Sequence, residues 1–237
     1  GPDKAVALTS GMSTTGRICP RGDKDFFRID VPAGQPLVDV AASFPMATTR
    51  IDLEVRLYEA DGKTAVEGAE VSDTVPDDGK SVVNTTLRVP KAGTYVVVVR
   101  DANDDEVDNG NDYVLQLTTA ADPDTHEPND AANGAKVPDG APGWIASRGD
   151  VDLYKVTAAG AGALVQLQIE NPESSKLELR WRLQDAKGTS LVDGAVAPSA
   201  KLFETLRPVP AAGDYFIAIS LPPDLAPTRR PDAGYRV

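Results

Sequence analysis

The sequence predicts an all-β protein built from two tandem antiparallel β-sandwich domains with jelly-roll-like connections. Three observations support this fold class: an internal repeat that spans nearly the whole chain, period-two alternation of apolar residues, and turns rich in Gly, Pro and Asp between the alternating segments. The chain has 237 residues, which is enough for two domains that each bury a core.

The repeat is clearest in one twelve-residue motif. G-R-I-C-P-R-G-D-K-D-F-F, from Gly16 to Phe27, recurs as G-W-I-A-S-R-G-D-V-D-L-Y, from Gly143 to Tyr154. Further counterparts follow in the same order: Leu37 with Leu164, Pro45 with Pro172, Gly62 with Gly188, Gly93 with Gly213, and Tyr113 with Tyr235. The separation of counterparts is 127 residues at Gly22 and Gly149 and 120 at Gly93 and Gly213. A shorter connection after Gly188 accounts for this drop, because loops tolerate changes in length that strands do not.

Alternating apolar residues predict the strands within each copy. Such alternation, bounded by turn residues, is typical of half-buried antiparallel strands. The alternating sets are Phe27, Ile29 and Val31; Ile51, Leu53, Val55 and Leu57; Leu177, Leu179, Trp181 and Leu183; Tyr95, Val97 and Val99; Tyr215, Ile217 and Ile219; and Tyr113, Leu115 and Leu117. No stretch predicts a helix of useful length. The polar segment 120–126 is predicted to be a linker between a first sandwich over 1–119 and a second over 127–237.

Composition restricts the possible partners. Asp and Glu number 36 against 24 Lys and Arg, a formal charge of −12, which disfavours nucleic acid and anionic membranes. The single cysteine, Cys19, excludes an intramolecular disulfide and a multi-cysteine metal site. No window approaches the ~20 apolar residues of a membrane helix. Gly1-Pro2 is typical of the residues left by tag removal, so we expect the native N-terminus to lie upstream.

Catalytic chemistry is hard to place on this sequence. His126 is the only histidine and lies in the predicted linker, which disfavours a Ser-His-Asp triad or a histidine-rich zinc site. Paired carboxylates are plentiful, but a glycosidase cleft is usually lined with aromatic residues, and these make up 5% of the chain. We therefore expect a protein that is not an enzyme.

The most acidic segment is the loop from Asp101 to Asp112. Its first acidic residues have the spacing of an EF-hand loop, but Glu106 stands where that loop needs glycine. A solvated hairpin loop and a weak cation site both remain open as interpretations. The counterpart loop from Leu221 to Gly234 is rich in proline and contains Arg229 and Arg230, so the two copies differ most here.

Three motifs of the second copy carry a family resemblance. They are E-P-N-D from Glu127 to Asp130, G-D-V-D-L-Y from Gly149 to Tyr154, and A-G-D-Y from Ala212 to Tyr215. Their order resembles the bacterial pre-peptidase C-terminal domain, to which the collagen-binding domains of clostridial collagenases are similar. The resemblance covers almost all of both copies.

The resemblance implies a jelly-roll-like sandwich, secretion, and an accessory role beside another region. In the collagen-binding branch it also implies a calcium ion held between an N-terminal arm and the sandwich, here by Glu127, Asn129, Asp130, Asp150 and Asp152. Calcium takes six to eight oxygen ligands at about 2.3–2.6 Å, and carboxylates with an amide oxygen provide them. The alternative is that these residues cap a turn and orient the start of a strand.

The first copy departs from this pattern. At a separation of 127 residues, Asp130 corresponds to Asp3, and the counterpart of Glu127 would precede Gly1. Asp3, Asp23 and Asp25 are therefore predicted to be the remnant of an equivalent site, with weak metal binding or none. The last strand of the second copy, Tyr235 to Val237, is also short compared with its counterpart.

These observations predict a non-catalytic, calcium-stabilised accessory module of the bacterial cell envelope or the extracellular space. It would bind a protein or polysaccharide partner, or space other domains apart. One alternative is a structural subunit of a bacterial surface assembly that docks through its sandwich faces. A hydrolase or inhibitor role is the third candidate.

Overall fold

The computed structural model describes residues 1–44, 51–72, 81–147, 149–171, 178–198, 200–222 and 234–237. The chain divides into two units, Gly1–Asp122 and Pro123–Val237. The division falls inside the predicted linker. The predicted all-β fold class is confirmed: the described residues form fifteen strands and one short 3₁₀ turn, Pro2–Lys4, with no α-helix. No helix in the described ranges is long and apolar enough to cross a membrane.

The first unit is a sandwich of two sheets. Its strands are β1 (Val6–Leu8), β2 (Ser13–Gly16), β3 (Lys24–Val31), β4 (Leu37–Ser43), β5 (Leu53–Glu59), β6 (Ala65–Ser72), β7 (Val82–Arg88), β8 (Gly93–Asp101) and β9 (Tyr113–Ala120). One sheet has the order β1-β3-β8-β5-β6 and the other β2-β9-β4-β7. Most connections cross from one sheet to the other, as in jelly-roll folds. All pairings are antiparallel except that of β1 with β3.

The second unit repeats this arrangement. Its strands are β10 (Val151–Ala158), β11 (Leu164–Ile169), β12 (Leu179–Asp185), β13 (Ser190–Val196), β14 (Phe203–Pro208) and β15 (Gly213–Ser220). They form the sheets β10-β15-β12-β13 and β11-β14. Isolated bridges of Lys136 with Tyr154, Gly143 with Tyr235 and Glu170 with Arg236 stand where the first unit has β1, β2 and β9.

The alternation in the sequence sets which side chains reach each core. In the first unit the inward residues of both sheets pack into one buried cluster that includes Ile29, Val40, Leu53 and Tyr113. The second unit has a core of its own, and Trp181 is buried in it. Pro45, Pro172, Leu177, Arg229 and Arg230 lie outside the described residues.

A tyrosine corner explains the A-G-x-Y motif of both copies. The Tyr95 hydroxyl donates to the Lys91 carbonyl over 2.8 Å, and the Tyr215 hydroxyl donates to the Ala211 carbonyl over 3.0 Å. The glycine two residues before each tyrosine has a positive φ, +153° at Gly93 and +144° at Gly213. This backbone region is accessible almost only to glycine, which accounts for the spacing of the motif.

One cross-strand hydrogen bond occurs in both units with its ends exchanged. In the first unit Thr94 of β8 donates its hydroxyl to Asp30 of β3 over 2.6 Å. In the second unit the threonine is Thr157 of β10 and the acceptor is Asp214 of β15, at 2.7 Å. Both units thus have the same Thr–Asp hydrogen bond, but the threonine and the aspartate lie on opposite strands of the pair in the two units.

Candidate metal site

The N-terminal arm of the second unit is bound to the start of β10. Leu153 donates its backbone N–H to the Asn129 carbonyl over 3.1 Å. Val151 donates its backbone N–H to the Asp130 carboxylate, also over 3.1 Å. These bonds bring the E-P-N-D segment beside the G-D-x-D segment, an arrangement that the motif resemblance implies.

Three carboxylates meet at this junction. Glu127, Asp130 and Asp150 each place one oxygen within 4.8 Å of the others. Asp150 is buried, Glu127 is partly buried and Asp130 is exposed. Across the described ranges, this is the only group of three acidic, histidine or cysteine side chains with such geometry.

Two fully buried polar side chains adjoin the carboxylates. Asn129 has no solvent-exposed surface, and its amide oxygen has no hydrogen-bond partner. Asp152 is equally buried; one of its oxygens accepts the Tyr235 hydroxyl, and the other has no hydrogen-bond partner. A buried polar atom without a partner costs free energy, so this pair marks a place where a ligand would be stabilising.

Electrostatics at Asp152 favour a bound cation. Burial raises the pKa of its carboxyl group well above the usual range, and the negative charges of Asp124 and Glu127 raise it further. The neighbouring Asn129 amide and the Tyr235 hydroxyl lower it and offset part of this effect. A divalent cation would reverse the balance, because it stabilises the ionised form of every carboxylate around it.

The arm also contains a buried Asp-His pair that the sequence reasoning missed. Asp124 accepts backbone N–H groups from His126 over 2.7 Å and from Trp144 over 2.8 Å. The His126 ring is buried, and its Nε2 lies 3.2 Å from the Asp139 carboxylate. His126 is thus packed inside the second unit. The sequence offered little signal for this pair, because an Asx turn can form wherever the residue two positions after an Asp is not proline.

The G-D-x-D motif has a framework role in both copies. The first aspartate accepts a backbone N–H four residues earlier: Asp23 from Cys19 over 3.1 Å and Asp150 from Ala146 over 2.7 Å. These bonds agree with the alternative that the aspartates of this motif orient the start of a strand, and a metal site of the second unit would add to that role.

The second aspartate of the motif accepts a tyrosine hydroxyl in both units. Tyr113 donates to Asp25 over 2.7 Å, and Tyr235 donates to Asp152. Burial raises the pKa of Asp25, and the Tyr113 hydrogen bond offsets part of that shift. The equivalence of these contacts explains why both tyrosines are buried at the same point of the repeat.

The first unit does not assemble the predicted remnant site as a carboxylate group. In the parallel pairing of the arms, Val6 lies opposite Phe27 and Lys136 lies opposite Tyr154. Phe27 and Tyr154 are counterparts, so the arms are offset by 130 residues and Asp3 aligns with Asn133. The predicted correspondence of Asp3 with Asp130 is therefore wrong by three residues, because the arm-to-motif connection is longer in the first copy.

The placement of these aspartates agrees with that register. Asp3 is exposed, whereas Asp23 and Asp25 are partly buried and engaged in the framework contacts. Within the described part of the first unit, no group of three carboxylates forms around them. Weak metal binding or none stays the prediction for this copy.

The acidic loop after β8 uses its carboxylates to hold its own backbone. Asp101 accepts N–H groups from Asp105 and Glu106, and Asp108 accepts them from Gly110 and Asn111. These contacts favour the interpretation as a hairpin loop over a cation site.

Comparisons with protein-family models and curated proteins show no family for the chain. No protein-family model matches it, and no curated protein matches it. The resemblance to the pre-peptidase C-terminal domain therefore stays a prediction.

Three solved structures that are similar to the chain have low TM-scores. The tandem CBM22-1-CBM22-2 domains of Xyn10C from Paenibacillus barcinonensis are 12% identical, with 94% of this chain and 83% of that chain covered and a TM-score of 0.30. The M60 catalytic domain with two CBM51 domains of ZmpB from Clostridium perfringens is 8% identical, with 97% and 38% covered and a TM-score of 0.29. The PBSX exported protein XepA is 12% identical, with 90% and 88% covered and a TM-score of 0.31. Scores at this level do not indicate a ligand or an activity for this chain.

Proposed function

We propose that the second unit binds one calcium ion between its arm and its sandwich, and that the chain is a non-catalytic, calcium-stabilised binding module. The observation that carries the proposal is the meeting of three carboxylates, from Glu127, Asp130 and Asp150, beside the buried amide oxygen of Asn129. Asp152 is the fifth member of the ligand set, through the oxygen that Tyr235 does not engage.

The chemistry of the donor set selects calcium. All five side chains offer oxygen, and oxygen ligands suit hard cations rather than zinc. Four of the five are carboxylates, whose negative charges attract a divalent cation. Magnesium requires near-ideal octahedral geometry and keeps several waters, whereas calcium accepts a crowded, irregular set of this kind. The exposed position of Asp130 favours moderate affinity, on the order of 10⁻⁴–10⁻³ M, as in extracellular modules.

The ion would join two segments that the fold already brings together. The arm carries Glu127, Asn129 and Asp130, and the start of β10 carries Asp150 and Asp152. A ligand that binds only the folded unit raises its stability by mass action. The motif resemblance supports a secreted or cell-envelope accessory role, and a calcium-dependent domain suits a compartment with abundant calcium.

Calcium titration with calorimetric and thermal readouts tests the proposal. We expect one binding event per chain, and a rise in the melting temperature of the second unit on the order of 10 °C at about a hundredfold excess over Kd. Magnesium at the same concentration should give a much smaller rise.

Matched variants locate the site. Asp130→Asn and Glu127→Gln should each lower calcium affinity by about tenfold or more, because each removes a charged ligand. Asp3→Asn, which removes an exposed carboxylate from the first arm, should leave both readouts unaltered. Two equal sites per chain, or a calcium response that survives both ligand variants, would refute the assignment.

A further inference from the structure

The outer face of the β10-β15-β12-β13 sheet carries a depression of about 340 Å³. Arg180 and Arg182 of β12 line it and alternate with Trp181, whose side chain is buried in the core. The strand opposite contributes Ala218, which is small and buried, and Ser220. The rest of the lining consists of Val151, Ser190, Asp193 and Gly194. This volume is within the range of small-ligand sites.

The first unit provides an internal comparison, because the corresponding face carries ion pairs between its own side chains. Arg100 contacts Glu54 through Nε at 2.7 Å and Asp104 through Nη1 at 2.9 Å. Arg56 pairs with Glu70 and approaches Glu54 to 3.9 Å. Each guanidinium here is bound by carboxylates of its own unit.

Strand register identifies the same positions in the second unit. In the first unit Glu54 lies opposite Arg100. In the second unit Arg180 occupies the position of Glu54, and Ser220 occupies the position of Arg100. Likewise, Arg56 lies opposite Glu70 in the first unit, and Arg182 lies opposite Asp193 at the corresponding positions of the second unit. The acid of the first pair is replaced by Arg180, and its arginine is replaced by Ser220. The second unit therefore has the guanidinium groups of Arg180 and Arg182 at these positions, and it lacks the carboxylate that Glu54 provides in the first unit.

The lining of the depression holds two arginines and one aspartate. Among the described residues, no carboxylate lies within ion-pair distance of Arg182, although Asp193 faces it across the strands. Arg180 contacts Glu178 at 2.6 Å, and both side chains are substantially exposed. Exposed ion pairs of this kind contribute little and are readily exchanged for another anion.

We propose that this depression binds a saccharide that carries a carboxylate, a uronic acid residue of a polysaccharide. Two arginines recognise one carboxylate, because the planar guanidinium forms paired hydrogen bonds with it. The hydroxyls of Ser190 and Ser220 and the carboxylate of Asp193 line the same space and can bond to sugar hydroxyls.

The lining favours a uronate over an acidic peptide. Asp193 stands opposite Arg182 and would repel a second carboxylate bound in the same depression, as an acidic peptide would place there, whereas it accepts hydrogen bonds from the neutral hydroxyls of the ring that carries the bound carboxylate. A uronic acid residue has one carboxylate and several hydroxyls on a single ring, which matches two arginines with one acid and two serines. The inference rests on the proposed function only in taking the chain as a binding module, since none of the five proposed calcium ligands lines the depression.

Amide chemical-shift titration of the whole chain tests the proposal. The probe is digalacturonate, with galactobiose as its uncharged counterpart and hexaglutamate as an acidic peptide. We expect digalacturonate to shift the amides of Arg182, Ala218 and Ser220, and galactobiose to bind at least about tenfold more weakly.

Three variants decide the assignment. Arg182→Gln should weaken digalacturonate binding by about tenfold. The double change Arg180→Glu with Ser220→Arg rebuilds the ion pair of the first unit and should abolish binding. Arg207→Gln, an equal change of charge on the other sheet of the same unit, should leave binding intact.

Calcium titrations on the same samples separate the two proposals. The Arg182→Gln and Arg207→Gln chains should keep the calcium-dependent rise in melting temperature. Absence of digalacturonate binding, equal binding of galactobiose, preference for hexaglutamate, or equal loss in Arg207→Gln would each overturn the uronate site, whatever the calcium result.

Discussion

Individual carboxylates in this chain mostly bind the backbone near them. Asp61, at the turn between β5 and β6, accepts N–H groups from Lys63 and Thr64 and the Thr64 hydroxyl. These bonds favour the charged form and lower the pKa of Asp61 to about 2, with the Thr64 hydroxyl contributing most. Because the folded pKa is depressed, the turn is stabilised above the ordinary aspartate pKa, and this stabilisation is lost as pH falls towards about 2.

Carboxyl NMR titration checks this expectation. The Asp61 signal should titrate with a midpoint of about 2. Thr64→Val should raise the midpoint, because it removes the hydroxyl donor while the backbone donors remain. A midpoint at the ordinary value of 3.8 in the unmodified chain would contradict the turn geometry.

At the scale of elements, the glycine that begins the repeated twelve-residue motif packs against buried tyrosines in both units. A Cβ added to Gly143 would lie 2.6 Å from the Tyr154 hydroxyl and 2.9 Å from the Tyr235 ring. Gly16 faces Tyr113 and Asp25 at equally short distances. Close packing therefore requires the first glycine of the motif. A side chain at Gly143 would have to displace Tyr154 and Tyr235, and buried contacts hold both of these tyrosines in place.

Gly143→Ala should therefore destabilise the second unit by about 1–3 kcal/mol through overpacking. Gly160→Ala in the same unit is the matched control, because nothing lies within 4 Å of its added Cβ. Urea unfolding should separate the two variants clearly. Equal stability of both would indicate that the tyrosines move aside at little cost.

The sequence predicted these elements well where periodicity and turn residues act locally. The strands and the tyrosines followed from alternation and from the repeat, whereas the acidic arm came from the motif resemblance. The register of the first arm did not, because the length of a loop does not determine where the chain re-enters a sheet. The arginine depression was missed for a related reason: Arg180 and Ser220 are forty residues apart in sequence, and only the strand register places them opposite each other.

At the scale of the molecule, two units with separate cores make up the chain. The first core draws on residues from Ile18 to Leu117, and the second on residues from Tyr154 to Tyr235. The proposed calcium ligands all belong to the second unit.

Fragments 1–122 and 123–237 should each unfold cooperatively when produced alone. Calcium should raise the melting temperature of the second fragment and leave that of the first unchanged. Differential scanning calorimetry of both fragments and of the whole chain provides the measurement. A calcium response confined to the first fragment would reverse the assignment of units, and unfolded fragments would show that each core depends on its neighbour.

The exchanged Asp–Thr contact bears on how two such similar sequences fold on one chain. Tandem repeats can misassemble when a strand of one copy pairs with a strand of the other. If β3 took the place of β10 beside β15, Asp30 would face Asp214, and two carboxylates would meet where each copy has a hydrogen bond. In the reverse exchange Thr157 would face Thr94, and the charge-assisted bond would be lost. Opposite placement of the same two residue types thus disfavours the pairing of each strand with the sheet of the other copy.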